Sequence, residues 1–232
     1  MKKTANILPL IIWLNQLFGL FGIFYVDFNL FLSLSPISLI FTFLIVLFYN
    51  VEFSIKSLSI TLLIISLSFI CEIIGVNYGI LFGSYNYGNN LGPLILGVPL
   101  VIGFNWVILT ISCGNISHYI FSKNNFFSIM LGSFLMLILD FVMEQVSGNI
   151  DFWYFYDKNL LFNYVTWFLL GLLNQYLYQS FMNKKNFLIS INIYLSFFVF
   201  FLILLFFLPY QIDSCENIKL INCLVIDSFN FK

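Results

Sequence analysis

Residues 187–209 read FLISINIYLSFFVFFLILLFFLP, a run without any charged side chain. About 20 predominantly apolar residues allow a helix to cross the hydrocarbon core of a bilayer. The run therefore predicts a transmembrane helix, and six earlier runs share its character. Together they predict an all-α fold, a polytopic membrane helix bundle of about seven transmembrane helices. The predicted spans are Ile7–Tyr25, Leu30–Tyr49, Leu58–Val76, Leu94–Cys113, Phe126–Glu144, Phe162–Met182 and Phe187–Leu208.

The composition agrees with a chain whose main solvent is lipid. Of the 232 residues, 61% are hydrophobic and only 8% are charged, whereas about a quarter of the residues in a soluble domain are charged. The first apolar run is too long for a signal peptide and lacks a small-residue cleavage site, so we expect it to be retained. We therefore expect one transmembrane domain over residues 1–209 and a short outer tail over residues 210–232.

The placement of the lysines predicts the orientation, because cytoplasmic loops carry an excess of positive charge. With the N-terminus inside, the cytoplasmic segments hold Lys2, Lys3, Lys56, Lys123, Lys184 and Lys185. The outer segments then hold Asp27, Asp151, Asp157, Lys158 and a mostly acidic tail. This orientation, in a multi-pass protein of the plasma (inner) membrane, places the unusual polar residues at the outer face.

The residue inventory argues against several classes of membrane protein. The chain has a single histidine, His118, and no arginine, whereas zinc and iron sites need sets of histidine or cysteine ligands. It contains no phosphate-binding loop or dinucleotide fingerprint, and the last span has no lysine for a retinal Schiff base. We therefore predict no metal and no cofactor. Cys71 and Cys113 are expected inside spans, while an oxidising compartment could join Cys215 to Cys223.

Glu72 is an ionisable residue near the outer end of the third predicted span. If the helix continues, Gly75, Gly79 and Gly83 follow at four-residue spacing, which allows another backbone or a flat ligand to approach closely. One interpretation is a carboxyl group held in an apolar pocket, where burial keeps it protonated. The alternative is a packed helix whose glutamate reaches the interface.

Asp140 and Glu144 are four residues apart, so their side chains share one helix face. Two carboxyls at so short a distance do not readily carry a negative charge each, so one of them should hold a proton at neutral pH. Such a pair suits general acid–base catalysis. The alternative is a helix end that reaches water, which accounts for Glu144 better than for Asp140, one turn deeper.

Aromatic residues cluster in the same outer segments. Interfacial belts of tyrosine and tryptophan are usual, but part of the set could face a cationic intermediate. The set comprises Tyr78, Tyr85, Tyr87, Trp153, Tyr154 and Tyr156. Asn105 and Trp106 fall in the middle of the predicted fourth span, where an asparagine should bond another helix or a ligand.

The order of these residues resembles a family of membrane carotenoid-biosynthesis proteins, the carotenoid 1,2-hydratases acting on ψ-end groups and the archaeal bisanhydrobacterioruberin hydratases. The first matching block contains Glu72, Gly75, Gly79, FGSYNYG at residues 82–88, GVP at residues 97–99 and Trp106. The second contains Asp140, Glu144, Trp153 and NYVTW at residues 163–167. Glu144 stands where the family pattern has an aspartate, and Gln145 where it has a proline.

The resemblance implies addition of water to the terminal isopropylidene double bond of an acyclic carotenoid, giving a tertiary alcohol without a cofactor. Alkene hydration needs an acid, a shielded cation and a positioned water, and the residues offer these. The catalytic candidates are Asp140, Glu144 and Glu72, with Asp140 favoured as the acid. The substrate-binding candidates are Tyr85, Tyr87, Trp106, Trp153, Asn105, Asn163, Tyr164, Trp167, Gly79 and Gly83.

The expected partners are an apolar carotenoid arriving from the lipid phase, membrane lipids and other enzymes of the carotenoid pathway, with no nucleic acid. Three alternatives stay open on the sequence. A carotenoid end-group cyclase would use the same acids, and a non-catalytic carotenoid- or lipid-binding protein would need the aromatic residues but not the carboxyls. A transporter is disfavoured because the carboxyls cluster at one end of the spans.

Overall fold

The computed structural model of the chain describes residues 7–156, 161–183 and 186–208. Within these residues the fold is an all-α bundle, as predicted, with four short strands near one end. The helices are α1 (Leu8–Tyr25), α2 (Phe28–Ser33), α3 (Ser35–Asn50), α4 (Ile55–Tyr78), α5 (Val101–Ile120), α6 (Asn125–Ser147), α7 (Leu161–Phe181) and α8 (Phe187–Phe207). The strands are β1 (Tyr85–Tyr87), β2 (Leu94–Ile95), β3 (Val98–Pro99) and β4 (Trp153–Phe155).

Five helical segments in the described part of the chain are long and apolar enough to cross a membrane: α1, α2 with α3, α4, α6 and α8. The helices α5 and α7 have the length of a span but carry more polar residues on their buried faces. The protein is therefore a membrane helix bundle. A crossing by α5 and α7, and thus a total of seven spans, stays a prediction.

Helix α5 forms the centre of the bundle. It contacts α3, α4, α6, α7 and α8, and from Val101 to Ser117 nearly every side chain is buried. A helix that is mainly apolar on all sides is expected in such a position. Because α4, α6 and α7 all pack on α5, polar residues near one end of each helix can face a common space.

A buried polar network holds the helices together at the other end of α5. Asn115 Nδ2 donates to Asn50 Oδ1 at 3.1 Å and to Ser190 Oγ at 2.7 Å, and Tyr178 Oη donates to Asn115 Oδ1 at 2.6 Å. These four residues belong to α3, α5, α7 and α8. Buried polar groups inside a membrane protein are satisfied by such interhelical bonds.

The predicted start of the fourth span is wrong. Leu94–Pro99 forms the hairpin of β2 and β3, and the helix begins only at Val101. The hairpin turn uses left-handed backbone at Leu96 and Gly97, with φ values of 51° and 85°, and Pro99 cannot donate a backbone hydrogen bond. The shift of seven residues, from 94 to 101, moves Asn105 and Trp106 from the expected mid-span position to the second turn of α5.

Strands β1 and β4 join two loops that are far apart in sequence. They pair antiparallel, with Tyr85 opposite Phe155 and Tyr87 opposite Trp153. Gly88 N donates to Phe152 O at 2.8 Å, which extends the pairing beyond the strands. The loop after α4 is thereby fixed to the loop after α6.

Gly88→Ala should disrupt this pairing. A β-carbon at Gly88 would lie 2.7 Å from the carbonyl carbon of Asp151, and the backbone cannot yield as a flexible side chain would. We expect the variant to lose roughly 1–3 kcal/mol of stability, the range typical of overpacking, measured as a lower unfolding temperature in detergent. Gly148→Ala is the matched control, because its β-carbon would meet the Tyr154 ring at an ordinary 3.5 Å. Equal stability of the two variants would contradict a role for close backbone approach at Gly88.

Several predictions lie outside the described residues. They include the lysines at 2, 3, 184 and 185, on which the orientation partly rests, and the outer tail over 210–232 with its possible Cys215–Cys223 disulfide. The other two cysteines lie in helices, where Cys71 is half-buried and Cys113 is buried, and both are free thiols.

Candidate active site

Glu72 lies buried in the second-last turn of α4 and accepts three hydrogen bonds. Its Oε2 accepts from Tyr85 Oη at 2.5 Å and from Tyr87 Oη at 2.8 Å, and its Oε1 accepts from Trp106 Nε1 at 2.9 Å. The indole N–H can only donate, and an ionised carboxylate can only accept. The carboxylate form of Glu72 therefore satisfies all three partners.

The local sequence explains how two tyrosines reach Glu72. Helix α4 ends at Gly79, which has left-handed backbone with φ of 64° and sends the chain back towards the helix. Tyr85 and Tyr87 are two residues apart on β1, so both side chains point to the same face of the strand. Gly75, one turn after Glu72, leaves the space for this return, because a β-carbon there would lie 3.0 Å from Tyr85 Oη.

Asp140 and Glu144 face the same space from α6. Asn163 of α7 bridges them, because its Nδ2 donates to Asp140 Oδ2 at 3.4 Å and also to Glu144 Oε1. Asp140 is almost fully buried. The other oxygen of Glu144, Oε2, is buried without a hydrogen-bond partner among the described residues. The two carboxyls thus form a close pair, and the Tyr164 hydroxyl also hydrogen-bonds the Glu144 side chain.

The three carboxyls line one small cavity, which we call the acid cavity. Its volume is about 30 Å³, enough to admit water but far too small for a long substrate. Besides Glu72, Asp140 and Glu144, it is lined by Phe82, Tyr85, Tyr87, Ile102, Asn105, Trp106, Met143, Trp153, Phe155, Asn163 and Trp167.

Aromatic rings form most of the walls of the acid cavity. Trp106 and Trp167 stack with their centroids 4.0 Å apart, and Tyr87 lies edge-on to Trp153 at 6.3 Å. On the other side, Tyr85 packs against Phe155 at 5.4 Å. Ring faces carry partial negative charge and attract cations. A positive charge in this cavity would therefore lie between carboxyls and aromatic faces.

The structure places most of the predicted site residues on this cavity and three outside its lining. Gly79 terminates α4 and Gly83 lies in the following turn with φ of 87°, so neither continues a glycine face of the helix. Tyr164 is half-buried and packs on Phe141 at 5.9 Å, and its hydroxyl hydrogen-bonds the Glu144 side chain. The glycines differ from the prediction because α4 ends at Tyr78, directly before Gly79, so the helix does not reach Gly83.

Four lining residues were missed by the sequence reasoning: Phe82, Ile102, Met143 and Phe155. Phe155 could have been found, because it is two residues after Trp153 and shares its strand face. Met143 and Ile102 lie within one turn of Asp140 and Trp106 on their helices. Phe82 gives no such signal. Its position at the cavity results from a left-handed backbone with φ of 66°, which a sequence pattern does not predict for a phenylalanine.

The tyrosines of β1 should resist ionisation. Burial, and next the nearby Glu72 carboxylate, raise the pKa of Tyr85 and of Tyr87 well above the usual 10.0. In the unfolded chain these phenols ionise near pH 10, whereas in the folded chain they stay neutral. The stability they contribute is therefore fully present below about pH 10 and is lost as the pH rises above it.

The measurement is the unfolding temperature in detergent between about pH 9 and 11, with tyrosinate absorbance followed in parallel. The decline of the unfolding temperature with pH should be shallower in the Tyr85→Phe/Tyr87→Phe double variant. The same decline in both proteins would show that these two phenols ionise normally.

Fold and site together define a class: a membrane helix bundle with a buried carboxyl site walled by aromatic rings. The family described as carotenoid biosynthesis protein matches residues 34–223. This match covers most of the chain and all of the acid cavity, so the chain belongs to that family, in agreement with the resemblance in its motifs. No curated protein and no solved structure matches the chain. Membership of this family gives the protein a role in carotenoid biosynthesis.

Proposed function

We propose that the protein is a carotenoid hydratase that adds water to the terminal isopropylidene double bond of an acyclic carotenoid. The observation that carries this proposal is the acid cavity, in which three carboxyls meet among aromatic rings. A family role in carotenoid biosynthesis supplies the substrate class. The reaction needs proton transfer to carbon, stabilisation of a tertiary cation and capture of that cation by water.

The Asp140–Glu144 pair is the source of the proton. Two carboxyls bridged by one amide share a proton more readily than they carry two charges. Asp140 transfers this proton to the terminal =CH carbon of the alkene. The π bond breaks, a C–H bond forms, and the positive charge develops on the neighbouring carbon that carries the two methyl groups.

Glu72 and the aromatic walls stabilise that cation. The Glu72 carboxylate is held in place by three donors and does not need to reorganise as charge develops, which is the condition for effective electrostatic catalysis. The stacked rings of Trp106 and Trp167, with Trp153 opposite, add the attraction of their faces for positive charge.

Water completes the reaction. The Glu144 carboxylate, which the Asn163 amide and the Tyr164 hydroxyl hold in place, is suited to orient a water molecule beside the cation. The water oxygen bonds to the tertiary carbon, and its extra proton returns to the Asp140–Glu144 pair. The acid is regenerated, and the net change is the addition of one water molecule.

The test is to produce the protein in cells that accumulate lycopene and to analyse the pigments by mass spectrometry. We expect a product that has gained one water and that takes its new oxygen from isotopically labelled solvent water. An isomer of unchanged mass would replace this proposal with end-group cyclisation. Unchanged pigment across several acyclic carotenes, with the protein present in the membrane, would favour a non-catalytic binding protein.

A further inference from the structure

A second, larger cavity adjoins the acid cavity, and we call it the lateral cavity. Its volume is about 200 Å³. It lies among α1, α3 and α8 and contains no charged side chain among the described residues that line it. Most of its lining residues are apolar, Phe31, Phe197, Phe200 and Phe201 among them, and the others are uncharged and polar: Asn15, Gln16, Ser35, Ser38 and Asn105. It is therefore suited to a hydrocarbon ligand.

The two cavities share a wall. Ile102, Asn105, Met143 and Trp153 line both of them. Three of these side chains are apolar or aromatic, and Asn105 is the polar one. A ligand that extends from one cavity to the other would pass these residues, with its apolar length on one side and its reacting end among the carboxyls.

The lateral cavity opens on the surface of the bundle between α1 and α3. Phe18 of α1 and Ile37 of α3 line it, and each is 64% exposed. Both helices belong to segments apolar enough to cross a membrane, so this opening faces the acyl chains of the bilayer. An apolar molecule dissolved in the membrane can enter there without passing through water.

The small size of the acid cavity requires such a second space. At about 30 Å³ it has room for water but not for a long isoprenoid chain, so such a substrate can place only its end there once the shared wall parts. The remainder of the molecule has to lie in an adjoining apolar volume. The lateral cavity is such a volume, because it shares lining residues with the acid cavity.

We propose that the lateral cavity binds the chain of a long isoprenoid hydrocarbon while the end group of the same molecule reacts in the acid cavity. This inference rests on the proposed function for the identity of the ligand. It assigns chain binding and lateral entry to α1, α3 and α8, apart from the acid chemistry on α4, α6 and α7.

Gly19 of α1 offers a graded test because it lines the lateral cavity. A β-carbon at this position would meet a ring carbon of Phe200 at 3.5 Å, an ordinary contact. Gly19→Ala is therefore the mildest member of a series in which Gly19→Leu and Gly19→Trp fill the cavity progressively. Leu17→Trp places the same bulk on the lipid-facing side of α1, where Leu17 is 49% exposed.

The experiment uses the full chain purified in detergent from lycopene-accumulating cells, with two measurements. The first is lycopene absorbance per protein, and the second is the fraction of pigment converted in the cells. We expect Gly19→Trp to lower bound lycopene at least about tenfold, equivalent to about 1.4 kcal/mol of binding free energy, with Gly19→Leu intermediate. Leu17→Trp should bind like the unchanged protein, and Gly19→Ala should show the smallest loss of the Gly19 series.

The two measurements separate this inference from the proposed function. One outcome is that the unchanged protein converts no pigment while Gly19→Trp loses the bound lycopene. This result would support the lateral cavity and overturn hydration. Conversion to the hydrated product with undiminished binding in a well-folded Gly19→Trp or Gly19→Leu variant would overturn the lateral cavity alone. Displacement of lycopene by phospholipid, with conversion equal in all variants, would assign the cavity to a lipid acyl chain and also overturn this inference.

Discussion

Asp140→Asn should reduce conversion of the carotenoid by roughly 10²- to 10⁴-fold, the usual contribution of general acid–base catalysis. The substitution preserves the shape of the side chain. In the unchanged protein Asn163 Nδ2 lies 3.4 Å from Asp140 Oδ2, and the oxygen of the new amide can accept the same hydrogen bond. The lost property is the transferable proton. The measurement is the rate of hydrated product formation in membranes that contain equal amounts of protein.

The matched control is Asp27→Asn. Asp27 is exposed near the same end of the bundle and caps α2 by accepting a hydrogen bond from Leu30 N at 2.8 Å. Asparagine caps helices about as well as aspartate, so this variant should convert the carotenoid normally. Bound lycopene should be unchanged in both variants. Full activity of Asp140→Asn would assign the proton to another group and contradict the role given to the α6 pair.

Glu72→Gln should affect both activity and stability. The amide of glutamine has one acceptor oxygen and one donor nitrogen, but the site presents donors to both positions: two phenols on one side and the Trp106 indole on the other. If the nitrogen faces Trp106, two donors meet, and a buried donor without a partner costs about 1–3 kcal/mol. Loss of the negative charge beside the cation should lower the conversion rate by roughly 10²-fold.

Two further variants interpret the result at Glu72. Tyr87→Phe removes one of the three donors and keeps the charge, so we expect about 0.5–1.5 kcal/mol of lost stability and a much smaller loss of activity. Glu52→Gln alters an exposed glutamate in the α3–α4 connection and should change neither property. Unfolding in detergent and conversion in membranes are the readouts. Normal conversion by Glu72→Gln would mean that the carboxylate only holds the β1 tyrosines in place.

The helices could be predicted from the sequence, since membrane thickness sets the length of an apolar run. The start of α5 could not, because residues 94–99 are apolar in either conformation. Their hairpin follows from positive φ at Leu96 and Gly97, which a hydropathy pattern does not register. The glycine face expected after Glu72 failed for the same reason, as Gly79 ends the helix instead of continuing it.

The site could be predicted in part. Alternating spans bring Glu72 to the same end of the bundle as Asp140, and this required only the order of the helices. The contacts between them depend on strand pairing, in which Tyr85 meets Phe155 although neither strand exceeds three residues. Strands this short carry almost no periodic signal. The lateral cavity is equally invisible in the sequence, since it arises from how α1, α3 and α8 pack.

The pairing of β1 with β4 has a consequence for the biosynthesis of the protein. A ribosome completes Glu72 and its two tyrosines well before it reaches Trp153, the strand partner of Tyr87, and Asn163 follows later still. A nascent chain that stops near residue 150 therefore carries all three carboxyls, but neither β4 nor the amide that bridges two of them. Truncated products released into the bilayer would lack a formed acid cavity, and the proposed acid chemistry would require translation to have passed α7.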